Sequence, residues 1–320
     1  MRSALLVVCS LFPLFLLSQQ VAKHISYGNE KIGFYEYKPS SYKNNKSTKY
    51  PLIIFLHGIG ERGNGTSELW KVRRIAIPAY IDRGEPMRFY KNGKWHSFIV
   101  LSPQCSKKYG MWPTLYVDAM IEYAEKNLRI DRNRIYLTGL SMRGGGTWKF
   151  ASASLKNAKK LAAIATVCAP STLSNGCNIA SAKLPMWSFH ATNDKIVNVS
   201  VITKSVNKVL NCHPSIKPKK TVWSSGGHYI WDKAFDTKHR YQSPNVFERF
   251  LGYSRNNSIG NEANKPQPPP QQGNKPPTAI AGPDKVINLP YNIAVLRGTR
   301  SVDKDGWVQS FKWTKISGPY

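Results

Sequence analysis

Short, unbroken apolar runs recur along the chain, and the stretches between several of them carry helical spacing. Residues 52–56 (LIIFL), 98–101 (FIVL), 135–137, 161–167, 186–190 and 221–224 are runs of this kind, bounded by loop residues. Apolar runs of this length without alternation predict strands buried on both faces. Residues 116–127 (YVDAMIEYAEKN) put Val117, Met120, Ile121 and Ala124 on one stripe, which predicts a helix. Residues 144–154, 199–210 and 245–251 also read as helices. Alternation of this sort predicts a mostly parallel sheet with helices on both faces, with functional groups in loops at the carboxyl ends of strands.

The two ends of the chain break the pattern. Residues 5–17 (LLVVCSLFPLFLL) follow a basic Met1-Arg2 start. The run is short for a bilayer span and Pro13 interrupts it, so a cleaved signal peptide over residues 1–20 is expected, with an exported mature chain that has no stable membrane insertion. Residues 254–278 are rich in Pro, Asn and Gln and have almost nothing to bury, which predicts a linker. The large domain is therefore expected at residues 21–253 and a smaller piece at 279–320.

Composition is globular, with 41% hydrophobic and 20% charged residues, but the formal net charge is +28. Such a charge suits anionic partners, or is simply a basic solvated surface. No compact Lys/Arg run with interleaved aromatics is present, so no nucleic-acid module is expected. Outside the leader lie Cys105, Cys168, Cys177 and Cys212. Export permits disulfides. Four cysteines allow three full pairings. Cys177 and Cys212 sit in loop-like sequence and are candidates for a bridge, whereas Cys168 (IATVCAP) reads as a buried free thiol.

The stretch IYLTGLSMRGGGT carries the sharpest chemistry. Ser141 follows an apolar run and precedes a helix, the setting of a nucleophile elbow. A serine hydroxyl needs a base, and the base an orienting acid. Asp194 (HATNDKIVNVS) follows one late strand, and His228 (WSSGGHYIWDKAF) follows the next, after two turn-forming glycines. The chain order Ser, Asp, His is that of an α/β-hydrolase. An oxyanion hole needs backbone N–H donors. Met142, after the serine, and Ile59 in the loop HGIG are the candidates, with Gly58 as the alternative to Ile59. His57 reads as a structural histidine. Glu61-Arg62 is expected to hold the loop by an ion pair. Trp112 and Trp231 are candidates for an apolar or sugar-stacking wall, with core packing the alternative for both and the preferred reading for Trp231. No cofactor or metal is required by this chemistry.

The segments FLHGIGERGNG, IVLSPQ, YLTGLSM and SSGGHYIWDKAF together resemble secreted α/β-hydrolases of the carboxylesterase, dienelactone-hydrolase-like and predicted-peptidase kind, with feruloyl and acetyl-xylan esterases among their relatives. The resemblance covers about residues 25–253. It implies an α/β-hydrolase fold with a mostly parallel central sheet, and Ser141 as nucleophile, His228 as base and Asp194 as orienting acid. It implies a small-molecule or polysaccharide ester as substrate, with a peptidase using the same residues as the alternative. In one respect the chain departs from the family, where the pattern reads GLSMGGG. Arg143 stands where glycine is usual, as a group that contacts an anionic substrate, a tolerated bulk, or the mark of a weakened enzyme that has become a surface- or carbohydrate-binding protein.

Residues 277–320 resemble the start of a PKD-type immunoglobulin-like β-sandwich, on the residues AGPD, SVDKDG and FKWTKISGP. About seven strands make such a domain, and only about half are readable here, so a partial domain is expected. Asp303 and Asp305 read as turn formers.

Overall fold

A computed structural model of the protein describes residues 20–256 and Thr278. The chain divides into two units, Met1–Ile259 and Gly260–Tyr320, and the fold below is that of the first. The expected leader before residue 20, most of the linker and the 279–320 piece lie outside the described residues.

The strands are β1 (Gln20–Tyr27), β2 (Glu30–Tyr37), β3 (Tyr50–Leu56), β4 (Arg88–Lys91), β5 (Lys94–Ser97), β6 (Ile99–Pro103), β7 (Ile130–Leu140), β8 (Ala163–Val167), β9 (Met186–Ala191) and β10 (Lys219–Trp223). All but the β4–β5 hairpin join one sheet in the order β1-β2-β6-β3-β7-β8-β9-β10. The pairs β1–β2 and β2–β6 are antiparallel, and every pair from β6 across to β10 is parallel.

Strand β3 shows why the apolar runs do not alternate. Leu52, Ile54 and Leu56 enter one core together with Val117 and Met120 of the helix Leu115–Asn127. Ile53 and Phe55 enter a second core with Phe235, Phe247 and Phe250. A strand covered on both faces has no water-facing side on which to place polar residues.

The β1–β2 hairpin was not readable from apolar runs, because most of β1 is exposed at the sheet edge. Gln20 is nevertheless buried, and its Nε2 donates to Pro78 O at 2.8 Å and Asp82 Oδ1 at 2.7 Å. The boundary expected between residues 20 and 21 therefore falls inside β1. Strand β7 begins earlier than its apolar segment, at Ile130, which pairs with Tyr50. Cys177 and Cys212 form a disulfide, and Cys105 and Cys168 are buried free thiols. Among the described residues no helix is long and apolar enough to cross a membrane.

Candidate active site

Strand β7 ends at Leu140 and the helix Met142–Ala153 begins two residues on, so Ser141 alone makes the turn, at φ 53° and ψ −132°. A left-handed conformation costs a non-glycine residue about 1–2 kcal/mol. The Ser141 N–H donates to Val167 O, at the end of β8, over 2.7 Å, and ties the turn to the sheet. The helix then runs hard against its neighbours. A Cβ on Gly144 would lie 2.9 Å from Ala169 Cβ and 3.0 Å from Val167 O, and one on Gly146 would lie 2.8 Å from Trp112 Cβ. Those two positions need glycine for room. Arg143 is the second residue of this helix, and its side chain lies outside the described residues.

Asp194 and His228 arrive from the next strands. Trp223 at the end of β10 pairs with Ala191 of β9, and Thr192 N–H continues the bonding to Trp223 O at 2.8 Å. Asn193 Oδ1 accepts from Gly227 N–H at 2.8 Å, joining the Asp194 loop to the His228 loop. Gly226 and Gly227 stand at φ 121° and 59°, the turn that brings the imidazole back over the sheet edge. His228 Nδ1 lies 2.8 Å from Asp194 Oδ2, and its Nε2 lies 2.8 Å from Ser141 Oγ. Burial raises the Asp194 carboxyl, but hydrogen bonds from Val197 N–H, His228 and Ile196 N–H outweigh it and hold the group below the usual carboxylate range. An ionised carboxylate only accepts, so His228 Nδ1 carries the proton and Nε2 is left to accept from the serine hydroxyl. Asp194 and His228 are both buried, and Ser141 is half-buried.

The loop after β3 is built around His57, which is fully buried. Cys105 N–H donates to His57 Nε2 at 3.1 Å, so Nδ1 carries the ring proton and donates to Gly58 O at 2.8 Å. The Gly58 carbonyl and the Ile59 N–H are opposite ends of one planar peptide, so holding the first orients the second. A Cβ on Gly58 would lie 3.2 Å from Leu140 Cδ1, which places this loop beside the residue preceding Ser141. Met142 N–H belongs to the first turn of its helix, where no carbonyl within the helix can accept it. Gln104, which sequence reasoning did not single out, holds the outer loop. Its Nε2 donates to Glu61 O at 2.9 Å and Glu68 O at 2.7 Å, and its Oε1 accepts from Gly65 N–H at 2.8 Å. Its signal was the IVLSPQ run itself, an amide at the end of a buried strand.

Two expectations change. Trp112 is only 1% exposed and packs edge-on against His57 and Tyr116, each with ring centres 5.3 Å away. It is core beneath the loop, and the indole has no surface on which a sugar could stack. The exposed aromatic at the site is instead Tyr229, 68% exposed, edge-on to His228 and to Trp231. The other change is at Arg62, which donates to Ile59 O at 3.3 Å and Tyr109 O at 3.0 Å. It anchors the loop through backbone carbonyls rather than through the ion pair expected with Glu61.

Cys168, Asp194 and His228 bring potential metal-ligand atoms within 4.8 Å of one another. They do not fit a metal centre. His228 Nδ1 is engaged with Asp194, and burial, followed by the charge of Asp194, pushes the Cys168 thiol up, so its proton stays on.

Residues 40–241 match the model of the phospholipase/carboxylesterase family. Over 226 residues, 63% of this chain, the sequence is 26% identical to the bifunctional acetylxylan esterase/xylanase XynS20E of Neocallimastix patriciarum; the match spans 29% of that protein's length. The fold is similar to that of a thermostable esterase, with a TM-score of 0.56 and 24% identity over 75% of this chain and 64% of that one. It is also similar to a ferulic acid esterase, with a TM-score of 0.52 and 17% identity over 68% of this chain and 96% of that one.

Proposed function

The chain belongs to the phospholipase/carboxylesterase family, and from that premise we propose that it is an exported serine esterase acting on carboxylic esters, in which Ser141, His228 and Asp194 do the chemistry. The observation that carries this reading is the unbroken series of two 2.8 Å contacts from Ser141 Oγ through His228 to Asp194, starting from a serine held in a strained turn at a strand end.

Ser141 Oγ attacks the ester carbonyl as His228 Nε2 takes its proton. Asp194 stabilises the imidazolium so formed and keeps the ring in place. The N–H groups of Ile59 and Met142 receive the oxyanion, which carries its full charge only after attack, so their stabilisation favours the transition state over the substrate. His228 returns the proton to the leaving alcohol as the C–O bond breaks. Water, deprotonated by the same nitrogen, then cleaves the acyl-enzyme and restores Ser141.

The favoured substrates are small acyl esters carried on polysaccharide, such as acetyl or feruloyl groups. The acetylxylan and ferulic acid esterases to which the chain is similar support this reading, as do Tyr229 and Trp231 beside His228, which supply an aromatic surface for a sugar or an aryl acid. Export is supported by the leader-like N-terminus and by the Cys177–Cys212 bond, which suits an oxidising compartment.

The test is hydrolysis of p-nitrophenyl acetate by the purified protein beside Ser141→Ala, followed by acid release from acetylated and feruloylated xylans. Turnover lost in Ser141→Ala supports the assignment; turnover retained there overturns it.

A further inference from the structure

Strand β9 carries an imidazole on a face it shares with an apolar core. Alternation along the strand sends Trp187, Phe189 and Ala191 into the second core, and turns Met186, Ser188 and His190 to the other face, where Met186 enters the first. His190 is only 1% exposed. A polar ring in such a place costs free energy unless its N–H finds an acceptor. An apolar side chain would fill the position without that requirement, so the acceptor that the ring has found shows what the ring is for.

His190 Nε2 lies 2.9 Å from Val197 O. Nδ1 is buried with no hydrogen-bond partner among the described residues, so Nε2 carries the ring proton and donates to that carbonyl. The bond runs from β9 to the far side of the loop that carries Asp194.

Val197 is thereby held from both sides. Its carbonyl accepts from His190, and its N–H donates to Asp194 Oδ1 at 2.9 Å, beside the Ile196 N–H at 2.8 Å. Burial works against the charge on Asp194, and among the bonds that outweigh it the one from Val197 N–H is the largest. With Oδ1 engaged by these backbone donors, Oδ2 faces His228 Nδ1 at 2.8 Å. His190 Nε2 lies 3.3 Å from that same Oδ2, so the ring also backs the oxygen that His228 uses.

We propose that His190 is a positioning residue, which clamps the loop from Asp194 to Val197 through Val197 O and so sets the Asp194 carboxylate in line with His228. This rests on the reading of Asp194 as the orienting acid. Without the clamp, the Val197 peptide is free to turn, Oδ1 loses a fixed donor, and the carboxylate rotates relative to the imidazole. His228 Nε2 is then aimed at Ser141 Oγ less of the time, which lowers kcat. KM changes little, because the buried ring touches no substrate.

The experiment measures kcat and KM with p-nitrophenyl acetate, and Tm, for His190→Leu, His190→Asn and His190→Gln, each made in the parent chain and in Asp194→Ala. The amide nitrogen of glutamine stands where the histidine Nε2 stood and that of asparagine where Nδ1 stood, so only glutamine can still donate to Val197 O. His190→Leu and His190→Asn are expected to lower kcat roughly tenfold, short of the ~10²-fold that a displacement of about 1 Å can cost, with KM unchanged. His190→Gln is expected to stay within about threefold of the parent. In Asp194→Ala the same substitutions should change kcat no further, because the group they position is gone, whereas any effect on Tm persists. That separates positioning from stability, and the Asn and Gln pair decides the matter if His190→Leu folds poorly. Equal loss in Gln and Asn, or a loss repeated in full in Asp194→Ala, overturns the proposal and leaves the assignment of Asp194 intact. Parental kcat in Asp194→Ala overturns that assignment and this proposal with it.

Discussion

His228 Nδ1 and Asp194 Oδ2 stand 2.8 Å apart in a buried setting, although the two residues are 34 positions apart in the chain. The carboxyl is held below its usual range against the opposing effect of burial. A folded carboxyl with a lowered pKa contributes stability above its unfolded value, near 3.9. That contribution is lost as pH falls through the lower folded value. Asp194→Asn is expected to cut kcat by on the order of 10³-fold or more, since the amide no longer fixes the Nδ1–H tautomer. Urea midpoints should separate the variant from its parent near neutral pH and converge below about pH 4; a gap unchanged into acid would contradict the linkage.

Ser141 shows strain and function at one position. Ser141→Gly removes both the hydroxyl and the Cβ that makes φ 53° costly. The variant should lose turnover while gaining up to about 1 kcal/mol of stability. Thermal melts beside an ester assay separate the two effects, and a variant that melts lower would show that the turn is not strained.

Gly144 has no space for a methyl group, because backbone as well as side chain blocks it. Val167 O, which a Gly144 Cβ would approach to 3.0 Å, is also the acceptor of the Ser141 N–H. Gly144→Ala should therefore lower stability by about 1–3 kcal/mol and turnover with it. An active variant with an unchanged Tm would show that the helix shifts freely.

Arg143 is the second residue of the helix Met142–Ala153, just ahead of Gly144. Arg143→Gly is expected to keep kcat/KM within an order of magnitude and to lower Tm slightly, glycine being about 1 kcal/mol worse than alanine in a helix. A change from no turnover in the parent to ordinary turnover in the variant would instead identify Arg143 as disabling.

The disulfide joins Cys177, in the helix Gly176–Ser181, to Cys212, just past the helix Ser200–Leu210. It closes a loop with a sequence separation of 35. Replacing both cysteines by serine should cost about 3–4 kcal/mol through the unfolded chain's regained freedom, with KM unchanged. Reducing and non-reducing melts of the parent provide the same comparison.

The sequence alone determined the layered α/β architecture, because strands buried on both faces leave unbroken apolar runs that only a covered parallel sheet explains. It also placed Ser141, Asp194 and His228 each just after such a run, since strand ends are legible from composition. Tertiary structure decided what depends on packing across strands. Trp112 looked like a wall and is core, because the Gly146 backbone and the buried His57 close over it. Strand β1 lacks the apolar signal because it lies at the sheet edge and most of it is exposed to water. Cys168 is far from Asp194 in sequence and comes near its carboxylate only because β8 and β9 are sheet neighbours. Linear patterns record what a segment buries. Which groups meet at the ends of adjacent strands depends on the order in which the sheet is wound.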